Sequence, residues 1–82
     1  MPDDDAGRGA GRTIMWEARA ADGRGDELLA WVLAAAPASA PAYRAGDRVV
    51  VLLPAGADVV LGDPPEELLA RPIHRWPFDR VR

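Results

Sequence analysis

None of the chain's 82 residues is cysteine. That removes the disulfides and thiolate zinc sites with which very small domains compensate for a thin core. The one histidine, His74, cannot build an imidazole-rich metal site, so no metal is expected. Once a charged, Gly-rich start is set aside, about 70 residues remain for a core, and a domain of that size buries only about 60% of its unfolded-chain surface. Self-association is the remedy left open, so the sequence predicts a homodimer.

Polar chemistry is as restricted as covalent cross-linking. There is no Lys, Asn or Gln, and Ser39 and Thr13 are the only hydroxyl residues besides Tyr43. Most enzymes draw nucleophiles, bases and amide donors from these types. Arginine and carboxylate are left to do that work. The net charge of −3 argues against a nucleic-acid partner, whose groove calls for a basic excess. Leu28–Ala36 is apolar and is followed by Ala38-Ser39-Ala40, which has the shape of a signal-peptidase site. Yet Asp26 and Glu27 stand where a signal needs a basic lead, and the run falls well short of the ~20 residues that span a bilayer. The expectation is a cytoplasmic protein with no membrane partner.

Residues 1–12 lack large apolar side chains and read as a disordered tail, with a single domain over 13–82. Thr13–Ala20 alternates: Ile14, Trp16 and Ala18 share one face, and Met15, Glu17 and Arg19 the other. A period of two predicts a half-buried strand. Gly25–Ala36 reads as a helix, with Asp26 and Glu27 in its first turn and Leu28, Leu29, Val32, Leu33 and Ala36 at helical spacing. It is apolar almost all round, so it should be covered on more than one side. Ala42–Leu53 reads as a hairpin turning at Ala45-Gly46-Asp47, with the β-branched run from Val49 typical of a doubly covered strand. Asp58–Leu61 is an optional further strand. Asp63 with Pro64 and Glu66 has the form of a capping box, which predicts a second helix over Asp63–Ala70. Ile73–Val81 alternates again, and Pro77, which removes a ladder donor, argues for an edge strand or a bulge there.

This order predicts an α+β ferredoxin-like sandwich, an antiparallel sheet with two helices on one face. Two such sheets packed face to face would enclose a barrel. The phrases MWEARAADGRGDELLAWV, YRAGDRVVVLL and ARPIHRWPFDRV, spanning about Thr13–Arg82, resemble small actinobacterial proteins of the dimeric α/β-barrel superfamily, which includes the antibiotic-biosynthesis-monooxygenase-like proteins. The resemblance implies a cavity on each sheet for an aromatic or polyketide-like molecule, oxidised in some members without metal or flavin. No cofactor is therefore expected. Haem-degrading relatives use an Asn, a Trp and a His together. This chain has no Asn, so that triad does not carry over.

His74, Trp76 and Phe78 share a strand face, and with Trp16 and Trp31 they are the candidate ligand-binding residues. His74 is the candidate acid or base. The competing reading makes the aromatics core or interface anchors. Glu17 and Arg19, with Arg44 on a paired strand, could clamp a carboxylate or be a catalytic carboxylate with its partner; the competing reading is a surface or cross-strand ion pair. Three functions stay open. The first is an accessory protein of secondary metabolism that binds an apolar or aromatic small molecule. The second is a cofactor-independent monooxygenase-like enzyme. The third is a structural protein–protein interaction module. A ligand-sized pocket walled by His74 favours the first two, whereas filled space between sheet and helix favours the third.

Overall fold

The computed structural model describes residues 12–54, 61–79, 81 and 82. Nearly all of the expected tail, and most of the optional strand Asp58–Leu61, lie outside them. The elements are β1 (Arg12–Arg19), α1 (Gly25–Ala35), β2 (Ala42–Ala45), β3 (Arg48–Pro54), a 3-10 turn (Glu66–Leu68) and β4 (His74–Asp79). The four strands form one sheet in the order β2-β3-β1-β4. Every neighbouring pair is antiparallel. This is a small α+β fold compatible with a ferredoxin-like arrangement.

The alternation in β1 sets the two sides of the sheet. Trp16 and Ala18 point to the side covered by α1, where they meet Leu28 and Val32 of the helix and Val49, Val51 and Leu53 of β3. Leu61 and Leu68 close the same core from the C-terminal half. All of these are buried. Gly46 holds φ +61° at the first position of the two-residue link between Ala45 and Arg48. A left-handed residue there matches the twist of the flanking strands, and glycine adopts it without a Cβ clash.

One copy covers α1 on a single side. Leu29 and Trp31 are half-buried against the core, but Leu33 is 58% exposed. Among the described residues, nothing supplies the expected cover on a second side.

The second helix over Asp63–Ala70 does not form. Pro65 disfavours helical angles at Pro64, because its ring crowds the preceding residue. Pro72 acts likewise on Arg71. Only Glu66–Leu68 coils, as a 3-10 turn whose N-cap is Pro65 with no side-chain cap, so the Asp63 capping box is not made. Leu69 is already extended and bridges Ala20. The Ala21 amide donates to the Leu68 carbonyl at 2.8 Å, and the Ala70 amide to that of Arg19 at 2.8 Å. The segment thus continues the sheet beside β1. Leu61, the described end of the optional strand, is buried outside any strand, and Arg75 donates to its carbonyl at 2.9 Å.

Among the described residues no helix is long and apolar enough to cross a membrane.

Candidate functional site

The side of the sheet away from α1 carries the unusual chemistry. The register aligns Tyr43, Val50, Glu17 and His74 in one row across all four strands. Leu52, Met15 and Trp76 form the next row, and Pro54, Thr13 and Phe78 the one beyond. Tyr43, Trp76 and Phe78 are 60%, 38% and 51% exposed. An antiparallel sheet with one solvated face normally alternates apolar in and polar out. Here five of the outward residues are Met15, Val50, Leu52, Trp76 and Phe78.

Glu17 is the exception in both chemistry and burial. It lies on this outward face but is only 2% exposed, because side chains from three other segments fold over it. Arg48, at the start of β3, donates to Oε2 through both Nε and Nη2, the former at 2.6 Å. Arg71, between the 3-10 turn and β4, donates through Nη2 to Oε1 at 3.1 Å. Burial pushes the Glu17 carboxyl up, but the hydrogen bonds and charges of the two guanidinium groups outweigh it and hold it below its ordinary range. The buried carboxylate is therefore ionised and matched by two cations.

His74 closes the cluster. Arg71 Nη1 lies 2.9 Å from His74 Nδ1, while Glu17 Oε1 is 3.8 Å from the same nitrogen, beyond hydrogen-bond reach. Arg71 Nη1 also lies 3.4 Å from His74 Nε2, so the guanidinium rests against the ring and touches both of its nitrogens. The ring meets Trp76 edge to face, with centroids 5.1 Å apart. His74, Trp76 and Phe78 thus share one face, as their spacing predicts.

The sheet separates that trio from Trp16 and Trp31. Trp16 is fully buried beneath α1, with its indole Nε1 lacking a hydrogen-bond partner among the described residues, and Trp31 packs on the same core from the helix. The five candidate ligand residues do not converge on one pocket. Nor do Glu17, Arg19 and Arg44 form a clamp. Arg19 pairs with Asp47 at 3.0 Å. Arg44 lies opposite Val49, and so on the α1 side, where it donates to Asp26 at 2.9 Å and to the Gly46 carbonyl at 2.9 Å. Gly25 permits this approach, since a Cβ there would sit 2.7 Å from Arg44 Nη2.

Arg48 and Arg71 are the partners that sequence reasoning missed. Arg48 had a signal: the turn at Gly46 sets the β2–β3 register and puts it on the outward face. Arg71 had none, since it reaches Glu17 across 54 residues of chain.

An open groove of about 590 Å³ lies over the C-terminal segment, lined by Asp63, Pro64, Glu66, Leu69, Arg71 and Ile73 among others. His74 is not on its walls. Comparison with known proteins returns no matching family model, no matching curated protein and no matching solved structure.

Proposed function

We propose that this chain is a non-catalytic interaction module that pairs with a second copy of itself through the open face of its sheet. The observation that carries the reading is that face: Met15, Val50, Leu52, Trp76, Phe78 and Tyr43 lie on one surface, and none of the elements among the described residues lies across it. The space between sheet and helix, where the family resemblance implies a ligand cavity, is filled by Trp16, Leu28 and Val32. That favours association over small-molecule binding or oxidation.

Size and symmetry favour a second copy as the occupant. A four-stranded face about six residues long covers roughly 400 Å² in flat projection. Projecting aromatic rings raise the accessible area toward the ~800 Å² per partner of a stable interface. A face of this kind can cover itself around a two-fold axis, which is the commonest oligomer symmetry. The arrangement also supplies the core that so short a chain lacks, and matches the face-to-face sheets of the dimeric α/β-barrel superfamily that the sequence resembles.

Light scattering of the eluting protein at micromolar concentration is expected to report twice the 8.8 kDa chain mass. Phe78→Glu and Leu52→Glu, which place a charge on the open face without touching the α1 core, should each return the mass to that of one chain with the far-UV circular dichroism retained. A wild-type chain that elutes as a folded monomer sinks the reading.

A further inference from the structure

The open face carries a charge opposite to that of the whole chain. Among the described residues its arginines are Arg19, Arg48 and Arg71 and its acids are Glu17 and Asp47, so the face is positive on a chain of net charge −3. Resting on the pairing proposed above, we infer that the corner formed by Arg48 and Arg71 is a binding site for a small inorganic oxyanion, which two copies take up as their faces meet.

The corner crowds cations together. Arg48 stands directly opposite Arg19 in the β1–β3 register, and like charges placed across from one another repel. Each is held by a carboxylate, Arg19 by Asp47 at 3.0 Å and Arg48 by Glu17 Oε2 at 2.6 Å. Arg71 brings a third guanidinium to the Glu17 carboxylate, through Oε1 at 3.1 Å. Glu17 thus holds two cations side by side while neutralising only one. The Arg48 and Arg71 side chains are 56% and 31% exposed, above a carboxylate that is 2% exposed. Neither Arg48 Nη1 nor Arg71 Nε has an acceptor among the described residues, so each guanidinium keeps a donor for water or for an anion.

In one copy water serves those donors. In the pair the face is desolvated, and a charged donor buried without an acceptor is costly. The second copy does not bring the counter-charge on the same face, because its two carboxylates each already bind an arginine of their own copy and its net sign is the same. A tetrahedral oxyanion does. Its several oxygens accept charge-assisted bonds from guanidinium groups, and its charge offsets what two like faces bring together. The pair therefore holds the anion more tightly than either copy alone, and mass action makes the dissociation constant of the pair fall as the anion is added.

The test is sedimentation velocity on the full chain at about pH 7.5, with inorganic phosphate replacing chloride up to about 20 mM at constant ionic strength. The wild-type dissociation constant is expected to fall at least ~5-fold, since the effects of two sites per pair multiply. Arg48→Gln, whose amide can still donate to Glu17 but carries no charge, should respond less than ~2-fold with its far-UV circular dichroism unchanged. Glu17→Gln removes the competing carboxylate and should respond more strongly than the wild type; it decides the matter if Arg48→Gln does not fold. A wild-type dissociation constant indifferent to phosphate, an Arg48→Gln response equal to that of the wild type, or a Glu17→Gln response no stronger than that of the wild type overturns the anion site and leaves the pairing standing. A wild type that is monomeric in chloride and in phosphate alike overturns the pairing and the anion site with it.

Discussion

Glu17 and Trp16 are adjacent in β1 and face opposite ways, and each is buried at some electrostatic cost. The Glu17 carboxylate is satisfied by Arg48 and Arg71. Removing a partner from a buried charge costs more than the pair itself contributes. Arg71→Met is therefore expected to destabilise the fold by about 1–3 kcal/mol, read from urea unfolding at neutral pH. The sign of the pH dependence follows from the lowered Glu17 pKa. A depressed carboxylate adds stability that is complete above its unfolded value near 4.5 and is lost as pH falls through the folded one. Wild-type protein should lose more stability than Glu17→Gln as the solution is acidified below that value, measured as the fall in melting temperature. On the other side of the strand, Trp16 Nε1 has no partner among the described residues. Trp16→Phe relieves an orphaned donor, and the expected loss is smaller than the ~3–5 kcal/mol typical of truncating a buried aromatic to alanine.

Elements differ in how plainly their residues announce them. The alternation of Ile14, Trp16 and Ala18 with Met15 and Glu17 makes β1 readable, because side-chain direction in a strand depends only on odd and even positions. The helix over Gly25–Ala35 and the turn at Gly46 are equally local and equally legible. The second helix misleads because Asp63, Pro64 and Glu66 satisfy the capping pattern while Pro65, one position on, blocks the conformation the pattern needs. The candidate site divides in the same way. The shared face of His74, Trp76 and Phe78 is a local property, whereas the burial of Glu17 depends on Arg48 and Arg71, 31 and 54 residues away. The helix supplies an element-scale prediction. Leu28 is fully buried and Leu33 faces outward. Leu28→Ala should cost about 2–5 kcal/mol and Leu33→Ala less than ~0.5 kcal/mol in denaturant titrations.

The whole molecule is a sheet protected on one side. Its core of Trp16, Leu28, Val32, Val49, Val51 and Leu53 lies between sheet and α1, and the opposite face carries Met15, Val50, Leu52, Trp76 and Phe78 beside the Glu17 cluster, with no helix among the described residues over it. If two copies complete one another, pairing is linked to folding, and stability becomes a function of concentration. The urea midpoint of the wild type should rise with protein concentration, by the equivalent of about 1.4 kcal/mol per tenfold, while that of Phe78→Glu should not move. Equilibrium unfolding followed by tryptophan fluorescence at several concentrations checks this directly. The borders of the sheet matter as well. β2 has only four residues, and β4 carries Pro77 in its middle. A strand trying to zip on sideways meets a stub at one rim and a gap in the donors at the other. Stacking can end at two, while ribbon-like growth has no clean template, so concentrated solutions should stay clear and free of fibrils.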